Sequence, residues 1–141
     1  MTVGNLGPSD VVTASPESTL GEITELLDSE NVGAIVLTED ESPAGIVTDR
    51  DAALAIHQHD DVADISVQEV MSEDPATLRE DEEAMEISRA IKENNVRRFP
   101  VVDENGSLTG IVTLDDLVAT IGEQLDNVAD TIESQSPEYT P

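Results

Sequence analysis

The chain has 141 residues, of which 32 are acidic and only 6 are Lys or Arg, so its formal net charge at pH 7 is −26. This excess of negative charge repels nucleic acids and anionic membranes, so neither is expected as a partner. With no cysteine, the chain has neither a disulfide framework nor a thiolate nucleophile. We find no apolar run long enough to span a bilayer and no secretory signal, so we expect a cytoplasmic protein.

The acidic residues are spread over nearly every segment, and lysine occurs only once, as Lys92. A dispersed acidic surface that nearly lacks lysine is typical of proteins from salt-loving organisms, because at about 1 M salt the Debye length is only about 3 Å. The alternative, a low-affinity cation buffer, predicts clustered acids. We therefore expect a halophilic protein.

The first half of the chain predicts a strand–helix–strand–strand–helix unit. An extended start at 11–14 leads into an amphipathic helix. The apolar residues of that helix recur at helical spacing and are Leu20, Ile23, Leu26 and Leu27. A β-rich run at 34–37, a turn at 39–43 and a second strand containing GIV follow. A second helix is predicted to begin after Thr48.

The second half repeats the first at an offset of 64 residues, which becomes 65 after one extra residue in the turn at 103–106. Asn31 matches Asn95, and the motif GIVTxxD occurs at 45–51 and again at 110–116. An acidic linker with a short helix near Val67 joins the halves. The sequence thus predicts two tandem copies of one supersecondary unit.

Three segments are predicted: repeat one with its N-terminal segment and linker at 1–66, repeat two at 67–134, and a flexible tail at 135–141. Repeat two ends in a long helix with an apolar stripe sustained for about five turns. Its members are Leu114, Leu117, Val118, Ile121, Leu125, Val128 and Ile132. Such a stripe must be covered, either by the N-terminal segment or by another subunit.

Four motifs, present in order over about residues 8 to 122, resemble the CBS-domain pair, also called the Bateman module. They are VTASPESTLGEI, NVGAIVLTEDESPAGIVTDRD, VQEVMSEDP and NNVRRFPVVDENGSLTGIVTLDD. The resemblance, of a stand-alone haloarchaeal type, implies an α/β (α+β) fold of two repeats packed with pseudo-two-fold symmetry, commonly as a homodimer. It also implies that an adenosyl ligand (AMP, ADP, ATP or S-adenosylmethionine) binds between the repeats and regulates an effector.

The two Thr-x-x-Asp signatures are the centre of the predicted nucleotide site. Thr48 with Asp51, and Thr113 with Asp116, stand where a strand ends and a helix starts. The Asp can accept hydrogen bonds from both hydroxyls of a ribose, and the helix N-terminus favours a phosphate. The same spacing is also a capping box, which stabilises a helix start without any ligand. Spacing alone leaves both readings open, and the resemblance favours the ligand.

Half of the six basic residues lie near these signatures, which suggests an anionic ligand. Arg50 is inside the first signature, and Arg97 and Arg98 precede the strand of repeat two. The resemblance implies that Arg97 meets the phosphate. The alternative is that Arg97 and Arg98 pair with nearby carboxylates. Since repeat one has Gly33 and Ala34 at the corresponding positions, two identical phosphate sites are not expected.

The resemblance also assigns four residues to the adenine pocket, namely Thr13, Val32, Thr77 and Val96. No catalytic residue is predicted. No metal site is predicted either, because we interpret the His57/His59 pair as part of a solvated loop. Two alternatives to a nucleotide-sensing regulatory module remain. One is a ligand-free CBS scaffold for dimerisation or protein interaction. The other is a regulatory fragment or subunit of a nucleotide-metabolism enzyme such as inosine monophosphate dehydrogenase.

Overall fold

The computed structural model describes residues 1–135, which form two sheets and four α-helices. The strands are β1 (Thr13–Ala14), β2 (Ala34–Glu39), β3 (Ser42–Thr48), β4 (Ser72–Glu73), β5 (Leu78–Arg79), β6 (Arg98–Val102) and β7 (Leu108–Thr113). The α-helices are α1 (Leu20–Glu30), α2 (Asp49–Gln58), α3 (Met85–Asn94) and α4 (Leu114–Gln135). Short 3₁₀ helices cover Val3–Asn5, Val62–Asp64 and Val67–Glu69. None of these helices is long and apolar enough to cross a membrane.

The sheets confirm the predicted repeat. One has the strand order β1-β2-β3-β4 and the other β5-β6-β7. In both, the short first strand is parallel to the second, and the next two strands form an antiparallel hairpin. Each unit is therefore strand, helix, strand, strand, helix, and the predicted α+β class holds.

The matching asparagines are explained by the helix ends. Asn31 and Asn95 are the C-caps of α1 and α3 and both adopt the left-handed conformation, with φ of 53°. Asparagine tolerates this conformation better than other side-chain-bearing residues, and it turns the chain from the helix into the next strand. The two asparagines thus mark the points where the chain turns from α1 towards β2 and from α3 towards β6.

The first hairpin turn is tighter than the predicted turn at 39–43. Only Asp40 and Glu41 lie outside the strands, with φ of 49° and 68°. Positive φ at both central residues is typical of the two-residue turns that match the strand twist. Pro43 belongs to β3, opposite Thr38 and next to a register shift in β2. Proline is tolerated there because ladder hydrogen bonding is interrupted at such a bulge.

Each of the two hydrophobic cores contains a residue from the other half of the sequence. Val3 is fully buried with Phe99 in the core of repeat two, and Val67 is fully buried with Leu20 in the core of repeat one. The structure thus packs the N-terminal segment, predicted as part of repeat one, against the core of repeat two, while the predicted segment boundaries stay a prediction. Both valines sit in 3₁₀ helices, and they are 64 residues apart, so the repeats exchange equivalent segments.

Helix α4 runs to the end of the described residues and carries the predicted stripe. Residue 135 is still helical in α4, and residues 136–141 of the predicted tail lie outside the described residues. The N-terminal segment meets only the first three turns of α4, where Met1 and Leu6 line a cavity with Leu117 and Ile121, and no residue of α4 is buried. The stripe from Val118 to Ile132 is thus exposed, so the N-terminal segment does not cover it.

The seat of the N-terminal segment on β7 can be tested at Gly7. A Cβ at Gly7 would lie 1.9 Å from the carbonyl oxygen of Ile111, which is backbone and cannot rotate away. We expect Gly7→Ala to destabilise the protein by about 2 kcal/mol and to lower the melting temperature by about 7 °C. Gly122→Ala is the matched control, because a Cβ there meets nothing within 4 Å. Equal melting temperatures for the two variants would contradict this packing.

Candidate functional site

The first signature lies at the junction of β3 and α2. Thr48 is the N-cap of α2, and its backbone N–H donates to Oδ2 of Asp51 at 2.9 Å. In return the Asp51 N–H donates to Oγ1 of Thr48 at 3.2 Å. The capping box that spacing allowed is therefore formed, and it orients the Asp51 carboxylate at the end of the strand.

The second signature repeats this geometry at the junction of β7 and α4. Both the N–H and the hydroxyl of Thr113 donate to Oδ2 of Asp116, at 2.9 and 3.0 Å. The Asp116 N–H donates to Oγ1 of Thr113 at 3.1 Å. All four residues of the two signatures are half-buried, so their groups face a partly sheltered surface.

A short loop lies against each helix start. The Asp49 N–H donates to the Gly33 carbonyl at 3.0 Å, and the Leu114 N–H donates to the Arg97 carbonyl at 2.8 Å. These bonds bring the loop before β2 to the first signature and the loop before β6 to the second. Val32 and Val96 lie in these loops, Val32 half-buried against the first core and Val96 42% exposed.

The other two predicted adenine contacts lie farther along the sheets. Thr13 is exposed on β1, paired with Val36 of β2, and Thr77 is exposed just before β5. In sheet one, β2 separates β1 from the strand that carries Thr48. Neither threonine hydrogen-bonds to a signature residue within residues 1–135, so their role stays a prediction.

Arg97 forms the surface ion pair that sequence reasoning left open. Its Nη2 atom lies 3.5 Å from Oδ1 of Asp115, and the two side chains are 70% and 82% exposed. Pairs exposed to this degree contribute about 0–1 kcal/mol and are easily exchanged for another anion. The pair therefore holds Arg97 next to the N-terminus of α4, and Arg97 can still leave Asp115 to bind another anion.

Arg98 has a position that sequence reasoning missed, because it reaches from repeat two to repeat one. Its Nη2 atom lies 3.4 Å from where a Cβ of Gly33 would stand, and Oδ2 of Asp49 lies 3.6 Å from the same point. The missing side chain at Gly33 leaves the room for the guanidinium. The signal in the sequence was this glycine opposite Arg97 in the repeat alignment.

Arg50, the third basic residue of the predicted site, is exposed in the first turn of α2. Within residues 1–135 the ion pairs involve Arg79, Arg89 and Arg97, so neither Arg50 nor Arg98 is paired there. The junction of the first signature thus has two cationic side chains near it, one from each repeat.

Four surface cavities of about 150 to 350 Å³ lie elsewhere, and none of the predicted site residues lines them. Within the described part of the chain, no cluster of His, Asp and Glu side chains could hold a metal ion. The candidate site lies at the two helix starts, outside these four cavities.

Comparison with known proteins assigns the family. The CBS domain model matches residues 3–58 and 67–123. The chain is 36% identical to the CBS domain-containing protein YhcV of Bacillus subtilis, and the match covers 77% of each protein. It is 33% identical to inosine-5'-monophosphate dehydrogenase of Methanocaldococcus jannaschii, but the match covers 77% of this chain and only 21% of that enzyme.

A solved structure has the same overall fold. The cytosolic domain of the Mg²⁺ channel MgtE in complex with ATP superposes with a TM-score of 0.70 at 25% identity. The superposition covers 84% of this chain and 48% of the MgtE domain. The model match covers both repeats, and each repeat has a Thr-x-x-Asp junction between its last strand and last helix. The chain therefore belongs to the CBS-domain family, as a tandem pair.

Proposed function

We propose that this protein is a cytoplasmic regulatory module that binds an adenine nucleotide or another adenosyl ligand and acts on a separate partner. The observation that carries the proposal is the state of the two signature carboxylates. In both, the helix cap uses Oδ2, and Oδ1 accepts no hydrogen bond from residues 1–135.

A carboxylate oxygen offers about two lone-pair sites, so capping and ligand binding use different atoms of the same group. Oδ1 of Asp51 or Asp116 is suited to accept a ribose hydroxyl while Oδ2 keeps the helix start in place. The cap thereby pre-orients the carboxylate, which lowers the conformational cost of binding. The same aspartate would then serve the capping box through Oδ2 and the ribose site through Oδ1, so the two interpretations do not exclude each other.

The phosphates of such a ligand would be neutralised differently in the two clefts. At the first signature, Arg98 from repeat two and Arg50 from repeat one are unpaired within residues 1–135. At the second, Arg97 must exchange Asp115 for the phosphate. The helix N-termini add partial positive charge in both. We therefore propose that the first cleft prefers the more highly charged ligand.

The ATP complex of the MgtE cytosolic domain supports a ligand of this class. Isothermal titration of the full chain with ATP, AMP, adenosine and S-adenosylmethionine, in about 2 M potassium chloride, tests the proposal under conditions in which charge repulsion is screened. We expect a saturable heat for at least one adenosyl compound and none for a guanine nucleotide control. The absence of any adenosyl binding would leave the signatures as helix caps.

Two other functions follow from specific observations. A ligand-free scaffold is favoured by the complete capping boxes, which hold without a ligand, and by the uncovered face of α4. A regulatory subunit or fragment of a nucleotide-metabolism enzyme is favoured by the match to inosine-5'-monophosphate dehydrogenase. The titration separates the first of these from nucleotide sensing, and the identity of a co-purifying enzyme decides the second.

A further inference from the structure

The two signatures differ in the residue that stands directly before the second aspartate of the motif. Repeat one has Arg50 before Asp51, and repeat two has Asp115 before Asp116. Both Arg50 and Asp115 are exposed in the first turn of the helix that follows, α2 in one repeat and α4 in the other. The repeats therefore carry opposite charges at equivalent places beside the carboxylate that is proposed to hold the ribose.

The two clefts also differ in where their cations come from. Arg50 is the only Lys or Arg in repeat one. Arg98 of repeat two crosses to Gly33 and so lies beside the first cleft. The equivalent of Arg98 in repeat one is Ala34, which has no charge to bring to the second cleft. Among the described residues, the first cleft thus receives cations from both repeats and the second cleft only from its own.

The cation of the second cleft already has an anion beside it. Nη2 of Arg97 lies 3.5 Å from Oδ1 of Asp115. The Leu114 N–H donates to the Arg97 carbonyl at 2.8 Å, so the loop with Arg97 lies against the helix turn that carries Asp115. A phosphate that approaches Arg97 therefore meets the carboxylates of Asp115 and Asp116 as well. Asp115 is an anion of the chain itself that competes with a phosphate for Arg97.

The balance of charge separates the clefts further. In the first cleft the two aspartates of the helix turn, at 49 and 51, are balanced by the two arginines at 50 and 98. In the second cleft, within the described part of the chain, two carboxylates face Arg97 alone, which leaves one negative charge in excess. The N-termini of α2 and α4 add the same partial positive charge to both clefts, so they do not distinguish them.

Adenosyl compounds offer a matched series for such a difference, because they share adenine and ribose and differ at the 5′ position. The 5′ group is an anionic phosphate in AMP, a neutral hydroxyl in adenosine and a cationic sulfonium in S-adenosylmethionine. A carboxylate attracts a nearby cation and repels a nearby anion, and a guanidinium does the reverse. The charge of the 5′ group is therefore the property that Asp115 and Arg50 distinguish.

We propose that Asp115 makes the second cleft selective for an adenosyl ligand with a cationic or uncharged 5′ group, while the first cleft takes the nucleotide. One chain then binds two chemically different adenosyl ligands at the same time. This inference rests on the proposed function, because it assigns a ligand class to each of the two clefts described there.

Isothermal titration of the unmodified chain, in about 1 M potassium chloride, tests whether the two ligands bind together. AMP should bind as one molecule per chain. S-adenosylmethionine added to the AMP-saturated chain should then bind as one further molecule, and reversing the order of addition should give the same result. Displacement of AMP by S-adenosylmethionine would show one shared cleft and would overturn the inference. This measurement needs no variant, so it does not depend on how a variant folds.

The role of Asp115 is tested in an Asp51→Ala background, which leaves only the second cleft. There S-adenosylmethionine should bind more tightly than adenosine, and adenosine more tightly than AMP. Adding Asp115→Arg, the charge that repeat one carries, should raise the ratio of AMP affinity to S-adenosylmethionine affinity at least about ten-fold. The Asp115 side chain is 82% exposed, so the fold should tolerate this change.

Asp126→Arg is the matched control, since it makes the same change of charge in α4 eleven residues, or about 16 Å, from Asp115. At about 1 M salt the Debye length is about 3 Å, so this variant should leave the affinity ratio unchanged. An affinity ratio that Asp115→Arg does not change, or tighter binding of AMP than of S-adenosylmethionine in the second cleft, would overturn the inference and leave the proposed function standing. Failure of all three compounds to bind the unmodified chain would overturn both.

Discussion

Alanine at Asp51 or Asp116 should weaken the binding of ATP or AMP at the affected cleft about ten- to a hundred-fold, because a charged acceptor for the ribose hydroxyls is lost. Each variant also loses half of a capping box, at a cost of about 1 kcal/mol in stability. The chain offers a matched control in Thr19 and Glu22, which cap α1 with the same spacing outside both clefts. Glu22→Ala should lose stability without losing affinity.

The arginines extend this prediction to the phosphate. In an Asp116→Ala background, which leaves only the first cleft, Arg98→Ala should weaken ATP more than adenosine, and Arg97→Ala should have little effect. In an Asp51→Ala background Arg97→Ala should be the variant that discriminates ATP from adenosine. Isothermal titration in concentrated salt measures all of these constants. Unchanged affinity in both aspartate variants would identify the signatures as caps alone, and the module as a scaffold.

The melting temperature should rise by about 10 °C between about 0.1 M and about 2 M potassium chloride, which corresponds to about 2–3 kcal/mol for a domain of this size. The structure provides the physical reason. No charged residue among residues 1–135 is buried, and only three ion pairs form there, so most of the carboxylates repel one another through solvent that salt can screen. Differential scanning calorimetry measures the shift.

Salt also strengthens apolar burial, so the screening effect needs its own control. Neutralising three exposed acids on the outer face of α4, as Glu123→Gln, Asp126→Asn and Asp130→Asn, removes repulsion without touching the core. This variant should melt higher than the parent at low salt and show a smaller dependence on salt. A melting temperature that is the same at both salt concentrations would contradict the halophilic interpretation.

Several parts of this fold were accessible from the sequence because their causes are local. Helical spacing of Leu20, Ile23 and Leu27 reports a buried face within one helix, and these three residues are buried in the first core. The repeat placed Thr48 and Thr113 at the ends of matching strands, where each begins a helix.

Other features could not be predicted because they depend on which elements meet in space. Only the packing of the two repeats decides that Val3, in the N-terminal segment, belongs to the core with Phe99. The alignment showed Gly33 opposite Arg97, but only the tertiary structure brings Arg98 across to fill the space. The sequence by itself determined the order of the elements and the helix caps, since each depends on residues a few positions apart, and the offset of 64 residues revealed the repeat directly. The tertiary structure alone decided which core each exchanged segment enters and that Arg98 approaches Gly33, since both depend on contacts between residues far apart in the chain.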